Sequence, residues 1–321
     1  MKILPARPTR LLAAFLLGAL VAGGAAAAPA PAALSVGIAD QKVQMFTDPY
    51  FKQLNIRKAR RVVPWDAMSI DYERADLDEW VAAARAVDAR PLITFGHSRL
   101  EGKRRVAPTP AQFVAQFRKL RQRYPDIREF ATWNEPNLCG EPLCHKPQLA
   151  ARYYDALTGA CPECTILAAE VLDGPTMKSW VRAFMKRVRH KPRIWGVHNY
   201  LDANRMRTSG TSELLGLVSG QIWFTETGGI VKRRTLYKAG GFPETVAHAG
   251  AATRWIFDRL VPLSPRITRV YLYHWNSGGP RDSWDSALFG LDGRPRPSFL
   301  VVKARIARIA AARRGASARR R

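Results

Sequence analysis

Short apolar, β-branched runs alternate with amphipathic stretches along most of the chain, a rhythm that predicts a parallel sheet whose strands are joined by crossover helices. Strand candidates lie at 34–39, 60–64, 91–95, 129–134, 165–171, 194–199, 221–226 and 268–275. Amphipathic stretches separate them at 76–87, 110–123, 146–158, 175–187, 212–218 and 243–260, and another follows the last strand at 297–312. The first crossover, around 47–55, is the least defined. Pro110, Pro175, Pro243 and Pro297 open four of these helices, where a fixed φ and a missing donor are tolerated. Eight strand-helix units in about 290 residues match the size and order of a single (β/α)8 TIM barrel. A doubly wound sheet is the alternative, and the placement of polar residues separates the two. A barrel draws its site from the C-terminal ends of many strands, whereas a doubly wound sheet uses one crevice. Here Arg61, His97, Asn134, Glu135, His198, Tyr200, Glu226 and Trp275 are spread over the ends of strands two, three, four, six, seven and eight. No internal repeat, long Gly/Ser linker or second domain interrupts the pattern.

Ahead of the first strand, Lys2, Arg7 and Arg10 precede the apolar run 11–21 and a region rich in Ala and Pro, so residues 1–32 read as an export signal. Cleavage after Ala25-Ala26-Ala27 or after Ala30-Pro31-Ala32 fits equally. An uncleaved anchor is the competing reading, but the run is shorter than the roughly 20 residues a spanning helix needs, and no later segment is long and apolar enough to span. The expected organisation is a signal at 1–32, a barrel at 33–312 and a basic disordered tail at 313–321, in a secreted or cell-wall-associated protein.

Charge adds a partner class. The formal charge is +25, and +22 once the three cations of the signal are set aside. The cations are scattered, and no zinc-finger or RNP-type motif accompanies them, which disfavours a nucleic-acid protein. The one dense run, Arg313 to Arg321, reads as a solvated terminus. If it has a partner, loose association with anionic cell-wall polymers suits an exported protein.

Four cysteines form two close pairs, Cys139 with Cys144 and Cys161 with Cys164. Export makes disulfides the expectation. Local pairing is favoured, although four cysteines allow three connectivities. A tetrathiolate zinc site also uses close pairs, but the first spacing is wider than CxxC and the compartment is oxidising. A redox role for Cys161 and Cys164 would need a helix N-terminus after a strand, and Pro162 and Glu163 instead sit in a connection before one.

Two stretches carry the chemistry. Ala131-Thr132-Trp133-Asn134-Glu135-Pro136-Asn137 and Trp223-Phe224-Thr225-Glu226-Thr227-Gly228-Gly229 each end a predicted strand on a glutamate. Two carboxyls delivered by separate strand ends can work as a pair. In a retaining glycosidase one is neutral and protonates the leaving oxygen, while the other is ionised and attacks the anomeric carbon. Trp65, Trp133, Trp195 and Trp284 lie near strand ends, and ordinary packing is the expectation for each.

Asn134-Glu135-Pro136 at a fourth strand end, with Glu226 at a seventh, resembles the clan A glycoside hydrolases, the 4/7 superfamily of (β/α)8 enzymes. Family 5 of that clan carries an arginine on strand two, a histidine at strand three, Asn-Glu at strand four, His-x-Tyr at strand six, a glutamate at strand seven and a tryptophan at strand eight. Arg61, His97, Asn134, Glu135, His198-Asn199-Tyr200, Glu226 and Trp275 can be laid onto that order. The wording Trp133-Asn134-Glu135-Pro136-Asn137 is also similar to family 39. The resemblance implies that Glu135 is the general acid/base, Glu226 the nucleophile, and Arg61 and Tyr200 the donors that keep Glu226 ionised. It further implies that Asn134 binds the sugar 2-hydroxyl, that His198 orients Glu135 or the substrate, that His97 contributes to substrate binding, and that Trp275 forms the floor under the sugar. Arg60 neighbours Arg61, and one residue of register reverses the face; Arg61 is the expectation. The implied substrate is a β-linked oligo- or polysaccharide. No cofactor is expected, and no metal, because the retaining mechanism needs none and no histidine-carboxylate ligand cluster stands out. A non-catalytic glycan- or wall-polymer-binding barrel is the alternative, and it leaves the pair of acids without a purpose.

Overall fold

The computed structural model of the chain describes residue 1 and residues 34–233 and 241–318. The expected signal, residues 1–32, lies outside them apart from Met1. In chain order the strands are β1 (Ser35–Ala39), β2 (Lys58–Pro64), β3 (Arg90–Gly96), β4 (Glu129–Ala131), β5 (Thr165–Leu167), β6 (Glu170–Leu172), β7 (Ile194–His198), β8 (Gln221–Thr227), β9 (Lys232–Arg233), β10 (Ile267–Tyr273) and β11 (Trp284–Asp285). Nine of them form one parallel sheet in the order β5-β4-β3-β2-β1-β10-β8-β7-β6. β9 and β11 make a separate antiparallel pair.

The two ends of that order, β5 and β6, are halves of the single strand expected at 165–171, parted at Ala168-Ala169. Hydrogen bonds close the ring across the gap. Ala168 N donates to Ile194 O at 3.0 Å and Gly196 N to Ala169 O at 2.9 Å, while Glu135 N reaches Glu170 O at 2.9 Å on the other side. The result is a (β/α)8 barrel, as the alternation of strands and helices predicts.

Strand residues obey period two. Ile93, Phe95, Phe130, Trp195, Val197, Ile222 and Phe224 pack outward into the large core beneath the helices. Ala39, Leu92, Ala131, Leu167, Trp223 and Tyr271 form a second cluster that fills the barrel interior. Both faces of the sheet are thus buried, which is why its strands read as nearly continuous apolar runs. Helix Pro110–Arg123 starts where proline predicts, behind a capping box in which Gln112 N donates to Thr109 Oγ1 at 3.2 Å and Thr109 N to Gln112 Oε1 at 2.8 Å. The indistinct first crossover is two short helices, Gln44–Thr47 and Pro49–Gln53.

The last helix corrects one expectation. It runs from Pro297 to Ala318, through most of the segment expected as a disordered tail. Alanine and arginine, which dominate residues 310–318, are among the best helix formers, so nothing in the sequence stops the helix at 312. No helix among the described residues is long and apolar enough to cross a membrane. Both disulfides are local, Cys139–Cys144 and Cys161–Cys164.

Candidate active site

β4 and β8 deliver Glu135 and Glu226 to the same mouth of the barrel. Side-chain oxygens of these two acids and a ring nitrogen of His198 all lie within 4.8 Å of one another. The two carboxyls are partly exposed, whereas the groups beneath them, Arg60, Glu170 and His198, have no exposed side-chain surface. Glu135 sits at φ 47°, a left-handed conformation that costs a non-glycine residue about 1 kcal/mol. Such strain is held where the surrounding structure fixes it, and here a bond from Glu135 N to Glu170 O does so.

Arg60 organises the floor of this mouth. Its Nη1 donates to Glu226 Oε2 at 2.9 Å and its Nη2 to Asn134 Oδ1 at 2.7 Å. Nε donates to Glu170 Oε1 at 3.0 Å, and Nη2 also pairs with Glu170 Oε2. The expectation of Arg61 is therefore corrected. In the ladder between β2 and β3, Arg60 aligns with the inward Leu92 and Arg61 with the outward Ile93. Arg61 turns away from the mouth to pair with Asp76 and donate to Gln41 O.

Tyr200 donates its hydroxyl to Glu226 Oε1 at 3.1 Å. Burial and the Glu226 charge push its phenol well above the ordinary value, so it stays a donor. The turn that carries Tyr200 is anchored by Asp173, which accepts the backbone N–H groups of Leu201 and Asp202. Asp173 is itself pushed up to about 7 by burial and by neighbouring Asp202.

His198 faces Glu135 through Nδ1, 2.9 Å from Oε1. Its Nε2 lies 3.6 Å from Glu170 Oε2 and 3.3 Å from Arg60 Nη2, so a proton there meets one attractive and one repulsive neighbour. Burial alone would lower the imidazole, but Glu226, Glu135 and Glu170 together outweigh it and Arg60, raising it to about 9. His198 is then an imidazolium at neutral pH, and Nδ1–H donates to Glu135. For Glu170, burial works upward, but Arg60 and His198 pull its carboxyl down to about 2.

Besides Arg61, two more residues expected in the site lie elsewhere. Trp275 is fully buried against Phe51, Phe289 and Phe299, with Nε1 donating to Asp48 Oδ2 at 2.8 Å. The chain leaves β10 at Tyr273, so Trp275 falls past the barrel and into this aromatic cluster. Trp275→Ala is accordingly expected to cost about 3–5 kcal/mol of stability, read by denaturant unfolding, as removal of a large buried ring does. His97 bonds Glu141 Oε1 at 2.8 Å, not either candidate acid. Since Glu141 lies inside the Cys139–Cys144 loop and also accepts from Trp133 Nε1, His97 helps fix that loop beside Glu135.

Glu170 and Tyr273 are additions that the sequence reading missed. Glu170 is a lone acid inside an apolar strand, and a buried charge demands a partner; that was its signal. Tyr273 tops the interior cluster at the end of β10, where burial first and then the Glu226 charge hold its phenol above the ordinary value. Trp133 and Trp195 are buried in the outer core, as packing residues; Trp65 and Trp284 remain partly exposed, and Trp284 stands edge-on to Tyr200 at 4.9 Å.

Three groups among the described residues have spacing that could hold a cation. Two rely on cysteines already spent in disulfides. The third is Glu135, His198 and Glu226 itself, in which Glu226 accepts from Arg60 and Tyr200 and Glu135 Oε1 faces His198 Nδ1.

No protein-family model matches this chain, and no curated protein sequence does. Solved structures do. A GH39 enzyme from Xanthomonas axonopodis pv. citri superposes with TM-score 0.61 at 16% identity, covering 85% of this chain and 65% of that one, so the chain spans just under two thirds of that enzyme's length. A GH39 β-xylosidase from Caulobacter crescentus gives TM-score 0.57 at 17% identity, covering 86% of this chain and 71% of its own. An endo-β-1,4-glucanase from Xanthomonas axonopodis pv. citri gives TM-score 0.57 at 12% identity, covering 86% and 99%. At such identity the likeness speaks for architecture: the chain folds as a (β/α)8 barrel of the kind used by these glycoside hydrolases of families 39 and 5.

Proposed function

We propose that this protein is an exported, retaining β-glycoside hydrolase that cleaves O-glycosidic bonds in β-linked oligo- or polysaccharides through a covalent glycosyl-enzyme intermediate. The observation that carries the reading is the separation of the two acids. Oxygens of Glu135 and Glu226 lie within 4.8 Å. Retaining enzymes hold their carboxyl groups about 5–5.5 Å apart, whereas inverting enzymes need about 6.5–9.5 Å to seat a water between them.

The remaining geometry suits the same division of labour. Glu226 accepts from Arg60 and Tyr200, donors that favour the ionised nucleophile. It attacks the anomeric carbon while Glu135 passes its proton to the departing oxygen. In the second half, Glu135 takes a proton from water as that water displaces Glu226. His198 Nδ1–H occupies Oε1 of Glu135 and leaves Oε2 for the substrate. Asn134 Oδ1 is taken by Arg60, so its Nδ2 group is left to donate to the sugar 2-hydroxyl, a contact that strengthens in the transition state. Tyr273, in place of Trp275, is the ring at the end of β10 for the sugar to rest on. Export rests on the basic-then-apolar start of the sequence, and loose association with anionic wall polymers on the charge of +25.

The test is to follow hydrolysis of activated aryl xylosides, glucosides, mannosides and galactosides, with several β-glucans, by proton NMR. The first sugar released is expected to have the β configuration. Release of the α anomer would overturn retention, and no hydrolysis across the panel would favour the binding barrel.

A further inference from the structure

We propose that Glu170 is a positioning residue of this site: its fixed negative charge holds Arg60 and His198, and through them the nucleophile Glu226 and the acid/base Glu135, in working arrangement throughout the reaction cycle. The proposal rests on the retaining glycosidase reading above and gives a role to a residue that touches neither substrate nor reacting atom.

The geometry is that of a hub. Glu170 lies on β6, fully buried, with Oε1 accepting from Arg60 Nε at 3.0 Å and from Thr94 Oγ1 at 2.9 Å, while Oε2 pairs with Arg60 Nη2 and faces His198 Nε2 at 3.6 Å. Arg60 and His198 each have a second side turned to the mouth. Arg60 Nη1 reaches Glu226, and His198 Nδ1 reaches Glu135. The backbone serves the same carboxylate: β7 carries Gly196 opposite Glu170, where a Cβ would come 2.6 Å from Glu170 Cγ. A side chain there would collide with the acid and, at 2.7 Å, with Thr225 Oγ1, so the glycine leaves room for both.

Charge balance explains why a second carboxylate belongs beneath the site. Before reaction, Arg60 and His198 are positive, Glu170 and Glu226 negative, and Glu135 holds the transferable proton. Glycosylation forms a bond from a Glu226 oxygen to the anomeric carbon, breaks the bond to the leaving oxygen, and moves the Glu135 proton onto that oxygen. Glu226 becomes a neutral ester and Glu135 an anion, so the sum is again zero. Deglycosylation reverses both changes as water supplies the new oxygen and its proton goes to Glu135. During the intermediate Arg60 has lost its pairing with a charged Glu226, and a buried, unpaired guanidinium is costly. Glu170 remains its counter-charge in both halves.

The groups that face His198 are Arg60 from β2, Glu135 from the end of β4, Glu170 from β6 and Glu226 from β8. Removing the Glu170 charge leaves the positive groups in excess, and the excess is relieved by loss of a proton from His198 or its partner. Both routes move the alkaline side of a pH-rate profile downward.

The experiment is Glu170→Gln, which preserves size and one acceptor, read by kinetics on an activated aryl glycoside and by nitrogen NMR of histidine-labelled protein, with the His198 signal assigned by its absence in His198→Phe. Expected are a fall of about 100-fold in kcat, as for loss of alignment in a reacting pair, and a KM changed by less than about threefold. The alkaline limb is expected at lower pH and the His198 midpoint lower by at least about one unit. A folded variant whose pH profile and His198 midpoint are unchanged overturns the proposal, whatever its kcat, because a merely structural role would move neither. Should Glu170→Gln fail to fold, Glu170→Asp carries the test, since it keeps the charge but draws it back by one methylene from Arg60 and His198: a lowered kcat at nearly constant KM with a lowered His198 midpoint supports the proposal, and a wild-type kcat and midpoint overturn it. These titrations need no substrate. A wild-type protein that hydrolyses no glycoside thus refutes the glycosidase reading while the His198 measurement still decides the role of Glu170.

Discussion

Glu226→Ala is expected to lower kcat by about 10⁴-fold or more on every substrate while the protein stays folded. The side chain is partly exposed, and Arg60 keeps Glu170 as counter-charge, so the loss falls on chemistry more than on stability. Glu135→Ala should behave differently. With an activated aryl glycoside, whose leaving group needs no proton, Glu226 can still attack, and the covalent intermediate accumulates because nothing activates water. Azide needs no general base, so it should restore turnover in this variant. Stereochemistry then assigns the two roles. In Glu135→Ala, azide makes the second of two displacements and the product keeps the β configuration. In Glu226→Ala, azide enters the space left by the nucleophile, a single displacement occurs and the product is the α azide. Product analysis by NMR checks both outcomes. Normal activity in either variant, or the same anomer from both, would remove the assignment.

The architecture was legible because both faces of the sheet are buried. Eight apolar runs separated by amphipathic stretches leave few folds that can cover every strand twice, and the barrel is one of them. Each of the eight expected strands is present, and the one that divides, at Ala168-Ala169, does so where the ring closes. Helix Pro110–Arg123 matches its expected bounds because a proline and a capping box mark its start in sequence. Asn134, Glu135, His198, Tyr200 and Glu226 were legible for a different reason: short polar motifs at strand ends fix both their strand and their height in the barrel.

What the sequence left open was orientation within a strand and the path of the chain just beyond it. Arg60 and Arg61 have the same chemistry, and only the register with Leu92 and Ile93 separates the inward from the outward one. Trp275 is two residues past the end of β10, where period two no longer governs the chain. Its ring is taken up by Phe51, Phe289 and Phe299, which come from distant segments and so leave no local trace. Glu170 was hidden inside an apolar strand because its partners Arg60, Thr94 and His198 all come from other strands. A buried charge is visible in sequence as an anomaly, but its function needs the closed barrel.

The sharpest test of that orientation is a pair of lysine substitutions at adjacent positions. Arg60→Lys is expected to reduce kcat by about 10³-fold, comparable with removal of a donor that stabilises the reacting group. Arg60 uses all three nitrogens at once, on Glu226, Asn134 and Glu170, and the single ammonium of lysine cannot reproduce a planar fork. Keeping the positive charge matters for the comparison, since Arg60→Met would strand Glu170 in the barrel interior at a cost of about 3–5 kcal/mol and confound activity with unfolding. Arg61→Lys should change kcat by less than about threefold. Arg61 is buried with its charge against the half-exposed Asp76 and touches neither acid, and lysine keeps that charge. The two variants differ by one position, one face of one strand and nothing else in composition. Kinetics on a common aryl glycoside, with thermal unfolding to confirm that both fold, gives the result. Loss of activity in Arg61→Lys with retention in Arg60→Lys would reverse the facing of β2 and dissolve the network beneath the two acids.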